Sequence, residues 1–145
     1  MGTTYEQDVI AWSLEQARAL RNGDFAKLDI EHLADEIEDV GKSEQRELAN
    51  RMAVLLAHLL KWRFQPDKRA KSWSDTITLQ RERIARRIAR TPSFKASLRD
   101  PGWWSDAWDD ATTQCAQETG IEIASLPPAC PWSAAQVMAE NWLPE

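Results

Sequence analysis

The stretch from Leu48 to Trp62 constrains the fold more than any other part of the chain. Leu48, Met52, Leu55, Leu59 and Trp62 step by 4, 3, 4 and 3 residues, and Ala49, Ala53, Leu56 and Leu60 repeat the steps one residue later. Steps of three and four place apolar side chains on one stripe of an α-helix, and two adjacent stripes mean a helix contacted from two sides. Such a helix requires neighbours, so the segment over about 43–64 is the expected centre of a helical bundle. Pro66 ends it, because proline disfavours helical backbone in the residue before it. Composition agrees: Gly and Pro are sparse at 5 and 7, Val and Tyr are rare, and Ala, Leu, Arg and Glu are frequent, a balance that favours helix over strand. At 145 residues the chain can bury about two-thirds of its unfolded surface without a disulfide or a metal. The expected fold is all-α, a single domain over 1–145 with about five helices.

The remaining elements follow from start and stop signals. Thr3 and Glu6 form a capping-box pair for a helix over about 4–22, with Tyr5, Val9, Trp12 and Leu20 near one side and Gly23 as its stop. Asp29 suits the N-cap of a helix over about 30–40, with Leu28 and Leu33 at staple positions. Gly41 reads as a stop and Ser43 as the next cap, so 30–40 and 43–64 are predicted to form a central hairpin. A fourth helix opens at Ser72, with Asp75 three residues on, and ends before Pro92. Its apolar stripe, Trp73, Ile77, Ile84 and Ile88, is narrow, and Arg81, Arg83, Arg86, Arg87 and Arg90 occupy the rest, the pattern of a peripheral helix. Asp100 and Pro101 fit the N-cap and first turn of a fifth helix ending at Gly120, with Ile121 placed for a Schellman contact. The tail, 122–145, reads as mostly irregular and docked on the bundle through Trp132 and Trp142, with Ser133 and Gln136 capping one short helix.

Charge is laid out in three blocks. Residues 1–47 hold 12 acids and 5 bases, 48–99 hold 3 and 13, and 100–145 hold 8 and 0, against a net charge of −5 for the whole chain. Oppositely charged helices packed side by side explain this by rim ion pairs, which disfavour wrong pairings more than they stabilise. The sharper reading is a nucleic-acid surface along 61–99, with Lys68, Arg69, Lys71, Arg83, Arg86, Arg87 and Arg90 on phosphates; the acidic flanks count against it. No apolar run approaches the roughly 20 residues that span a bilayer, and no signal-peptide pattern opens the chain. Cys115 and Cys130 lack CxxC spacing and suggest a reducing cytoplasm.

One helical stretch invites a chemical reading. Helical angles place Ile30, Leu33, Ala34, Ile37 and Val40 on one arc, predicted to face the core, with His32, Asp35 and Asp39 nearly opposite. His32 and Glu36 are spaced to hold one metal, with Asp39 near enough to assist, provided something packs over them. If the face is merely solvated, His32 should titrate somewhat high beside its acids. His58, at the edge of the apolar arc of 43–64, reads as a hydrogen-bonded boundary residue. Glu36 and Asp39 make ExxD, and Glu44 and Glu47 make ExxE. Nucleotide pyrophosphohydrolases of the MazG type, which this pattern partly resembles, use such pairs on neighbouring helices to bind magnesium. Here the pairs lie close together at the predicted 36–47 hairpin apex and in reversed order. There is no GxSxG, GxxxxGK[ST] or GxGxxG, and neither cysteine has a basic or histidine motif beside it.

Taken together, "HLADEIEDVGKSEQRELANRMAVLLAHLLKW", then "QP", "SW" with "TI" and "QR", "ETG", "CPW" and the closing "LPE" resemble the bacterial family called domain of unknown function 29 over nearly the whole chain. The resemblance implies a small all-helical protein and brings no activity, cofactor or catalytic residue. The expectation is a non-enzymatic interaction domain, self-associating or binding a protein partner, with no cofactor and no membrane contact. Trp103 and Trp104 are its interface candidates, because adjacent helical positions cannot both face inward and Trp is enriched at interface hot spots.

Overall fold

The computed structural model describes Gly2–Glu145. Its helices are α1 (Val9–Asn22), α2 (Ile30–Phe64), α3 (Lys71–Arg90), α4 (Phe94–Ser97), α5 (Pro101–Thr119) and α6 (Ala134–Met138), with short 3-10 turns between them and no strand among the described residues. The fold is all-α. Two compact units divide it, one through Ser43 and one from Glu44 to Glu145.

The predicted hairpin does not form. Helix α2 runs 35 residues without a break through Gly41, Lys42 and Ser43, and among the described residues only Gly23 and Gly120 have positive φ. A glycine inside a helix costs about 1 kcal/mol relative to alanine, which is too little to end one flanked by strong helix formers. Glu36, Glu38, Lys42, Glu44, Gln45, Arg46 and Glu47 supply those flanks, and no proline intervenes.

In the unit from Glu44 onward, α2 is the central element. Leu48, Met52, Ala53, Leu55, Leu56, Ala57, Leu59, Leu60 and Lys61 are buried, and at about 100° per residue they cover all but a third of the helix circumference. Ile77 and Ile84 of α3, Phe94 of α4, Ala107, Trp108, Ala111 and Cys115 of α5, and Leu126 and Val137 of the tail complete the core. Each fully buried Leu, Ile or Val side chain contributes about 1.5–3 kcal/mol. Helix α5 starts as predicted, with the Asp100 carboxylate accepting from the Gly102 N–H and Pro101 in the first turn. Its end differs: Gly120, at φ 79°, donates to Ala116, and Ile121 donates to the Thr119 hydroxyl at 3.2 Å instead of closing a Schellman pair. In the tail, Ser133 and Gln136 form a reciprocal capping box at α6. The Trp108 indole donates to the Pro127 carbonyl at 2.8 Å, while Trp132 packs edge-on against both Trp108 and Trp142.

In the first unit α1 begins later than predicted. Asp8, not Thr3, caps it, accepting from the Ile10 and Ala11 N–H groups; Thr3 instead donates its N–H and hydroxyl to Glu15. Gly23 ends α1 at φ 72°, a conformation that only glycine adopts freely. Gln16, buried on α1, joins the two ends of the connection: its amide donates to the Lys27 carbonyl and its oxygen accepts from the Asp29 N–H at 2.8 Å.

Candidate functional site

Asp29 is the hub of the first unit. Its carboxylate accepts from the Trp12 indole at 3.0 Å and lies 2.8 Å from His32 Nδ1. The other ring nitrogen of His32 reaches Glu6 at 3.1 Å, and the imidazole stacks on Tyr5 with centroids 4.3 Å apart. Tyr5 in turn donates to Glu36 at 2.6 Å. These anchors turn α2 the opposite way from the prediction: the His32 side packs on Tyr5 and Trp12, and Ile30, Ile37 and Val40 are 65%, 71% and 66% exposed. Apolar periodicity identified a shared face, but the Trp12–Asp29–Gln16 hydrogen bonds decide which face turns inward.

The hydrogen bond to Asp29, with Glu6 and Asp35 adding their charge, holds the His32 pKa above its ordinary value. For Asp29 itself burial pushes upward, and the hydrogen bonds from His32 and Trp12 outweigh it, leaving the carboxyl below its usual range. Both ring nitrogens of His32 thus face carboxylates, Nδ1 that of Asp29 and Nε2 that of Glu6. Glu36 and Asp39 do not join them, since Glu36 is engaged by Tyr5 and Asp39 is exposed. A metal at His32 would have to displace Asp29 or Glu6, because both ring nitrogens are already engaged. Among the described residues no group of three or more His, Cys, Asp or Glu is placed to hold a metal ion. With no turn at Gly41, the two carboxylate pairs have no apex at which to meet, and Glu44 and Glu47 pair with Arg87 of α3.

His58 donates to or accepts from no acid; its Nδ1 lies 2.9 Å from the Val54 carbonyl, and burial holds its pKa low. Burial likewise pushes the Cys115 and Cys130 thiols up, which disfavours thiolate chemistry.

The seven basic candidates separate. Arg83, Arg86, Arg87 and Arg90 share one concavity with Arg51 of α2. Lys68, Arg69 and Lys71 lie beyond it, at or before the start of α3. Arg69 donates to the Trp62 carbonyl and stacks over its ring, and Lys71 pairs with Asp75. Arg81, placed by sequence on the polar face, is buried instead and donates to three carbonyls of the tail, Val137 at 2.8 Å, Glu140 at 3.1 Å and Trp142 at 2.7 Å. Its signal was present: Arg81 fills the gap in the Ile77, Ile84, Ile88 stripe, four residues after one and three before the next. Trp103 and Trp104 are both half-buried and pack edge-on. Trp103 donates toward the Gln45 carbonyl of α2 and Trp104 to that of Leu98.

These features define an all-helical protein with an acidic N-terminal unit and, in the unit from Glu44 onward, a core built around α2 and an arginine-rich face. Its sequence matches the profile of the family described as Domain of unknown function DUF29 over residues 4–143, and the chain belongs to that family. Neither the curated proteins nor the solved structures contain a match to it. No helix is long and apolar enough to cross a membrane among the described residues.

Proposed function

We propose that this chain is a helical protein-interaction module whose docking element is the outward apolar face of the N-terminal part of α2. One observation carries the reading: of the ten large apolar side chains that stand exposed among the described residues, eight lie between Val9 and Val40. On α2 three of them form an ordered stripe, with Ile30 and Ile37 one heptad apart, Val40 alongside, small Ala34 between the isoleucines and Gly41 just beyond. Stripes of this spacing are the surfaces against which amphipathic helices pack, and exposed apolar faces rimmed by polar groups mark interaction sites.

Charge selects the partner. Residues 1–43 carry ten acids and four bases, and Glu31 and Glu38 flank the stripe. A second copy would set one acidic rim against another, whereas an amphipathic helix with a basic rim meets complementary charge. The occupant is therefore a basic amphipathic helix of a partner protein. Anisotropy titration of a labelled Leu/Lys heptad peptide against the full chain tests this. Ile37→Glu should abolish binding even though it adds a negative charge; undiminished binding by that variant would reduce the attraction to charge alone and refute the reading. A concentration-dependent dimer in sedimentation, lost in the same variant, would put a second copy in the partner's place.

A further inference from the structure

The arginines of α3 that converge on α2 form a site of their own. Arg83, Arg86, Arg87 and Arg90 lie on one face of the last two turns of α3, and Arg51 faces them from α2. The five alone line a concavity of about 390 Å³, within the size range of small-molecule sites. Carboxylates reach two of them: Arg87 pairs with Glu44 and Glu47, and Glu47 also reaches Arg51 at 3.5 Å. Arg83, Arg86 and Arg90 are exposed and have no ion pair among the described residues. The Nε of Arg51 is shielded from solvent and has no hydrogen-bond partner. Five guanidinium groups against two carboxylates leave three positive charges around one hollow. Like charges at these helical spacings repel, so the folded chain carries the arrangement at a loss unless an anion occupies it.

We propose that this basin binds a compact chain of linked phosphates. Several guanidinium forks offer paired N–H donors to tetrahedral oxyanions, and an anion with three or more charges matches the local excess. The walls contain no aromatic side chain on which a base could stack, unlike single-strand binding surfaces. The basic groups Lys68, Arg69 and Lys71 also stand apart from it, so the arginines do not continue into a track for a polynucleotide backbone. The ligand is thus read through its phosphates, whether free or carried on a nucleoside.

Calorimetric titration of the full chain with tripolyphosphate in low-salt, magnesium-free buffer tests the site. The Arg83→Gln/Arg86→Gln/Arg90→Gln variant should bind at least tenfold more weakly, while Lys68→Gln/Lys71→Gln stays within twofold of the wild type. Because the three side chains are exposed, the triple variant should fold, and its melting temperature without ligand should equal or exceed the wild-type value once the repulsion is gone. A nucleoside triphosphate binding no more tightly than tripolyphosphate supports recognition of the phosphates alone; one binding tenfold more tightly would overturn it. Retained affinity in the triple variant, no heat at millimolar tripolyphosphate, or binding of a single-stranded oligonucleotide without binding of tripolyphosphate would each overturn the proposal.

Discussion

Replacing Gly41 with alanine tests the continuity of α2 by the sign of one free-energy change. Gly41 sits inside a 35-residue helix, its φ is not positive, and a Cβ built on it meets nothing within 4 Å. The new methyl group therefore neither clashes nor packs, and only backbone propensity remains. Alanine exceeds glycine in a helix interior by about 0.8–1.0 kcal/mol, so Gly41→Ala should stabilise the chain by about that amount. If Gly41 instead closed a turn in the left-handed region, alanine would cost about 1–2 kcal/mol. Gly120 at φ 79° is the internal control, and Gly120→Ala should be destabilising on that scale. Guanidinium unfolding followed by far-UV circular dichroism should raise the Gly41→Ala midpoint and lower that of Gly120→Ala, with unchanged slopes. A Gly41→Ala protein less stable than the wild type would refute the uninterrupted helix, and with it the outward placement of the Ile37 stripe.

Three further outcomes follow from buried or paired charges. Arg81→Lys should loosen the tail, because one ammonium cannot reach all three carbonyls that the guanidinium holds; a loss of about 2–3 kcal/mol is expected, with faster proteolysis after residue 125 and altered tryptophan fluorescence, and unchanged cleavage would contradict the clamp. Lys61 is buried against Glu118, whose side chain is 44% exposed, and the hydrogen bond from Lys61 holds the Glu118 carboxyl below its usual range. A depressed carboxyl stabilises above its unfolded pKa and loses that stabilisation as pH falls through the folded value. Glu118→Gln should accordingly cost about 1–2 kcal/mol at neutral pH, discounted for exposure, and nothing in strong acid, as urea unfolding at both pH values can decide. The chain has two histidines, so proton NMR should give two imidazole titrations, one above and one below the ordinary histidine value. The upward one belongs to His32, whose stabilisation is complete below the ordinary value and lost as pH rises through the raised one; His32→Gln should flatten that dependence, and two coincident titrations would exclude the Asp29 pairing.

What could be read from sequence divides along a physical line. The double stripe of 48–62, the caps at Asp29, Asp100 and Ser133, and the stops at Gly23, Pro66 and Gly120 depend on residues a few positions away and appear where the sequence places them, whereas the equally local caps read at Thr3 and Ser72 give way to Asp8 and Ala70. Gly41 misled because a penalty of about 1 kcal/mol resembles a stop signal in a string of letters and yet is small beside the propensity of its neighbours. Two of the three His32 partners were hidden for another reason. Tyr5 and Glu6 are remote in sequence from His32, and no spacing rule connects them. Arg81 was legible as a member of its stripe, but its charge assigned it to solvent until three tail carbonyls were there to receive it.

The most informative failure is the arc of Ile30, Leu33, Ala34, Ile37 and Val40, of which Leu33 alone is half-buried and the other four are exposed. Periodicity states which side chains share a face and that the face suits burial; it does not say what covers it. In this chain Trp12, Gln16 and Asp29 claim the opposite side of α2, so the residues patterned for burial are left in water. The pattern and the exposure are then both accounted for if the cover comes from another chain. Charged substitutions at Ile37 should for that reason leave the free protein as stable as before, within about 0.5 kcal/mol for an exposed surface position, while abolishing docking. A large loss of stability in Ile37→Glu, measured by guanidinium unfolding of the isolated chain, would mean that the face is already covered from within.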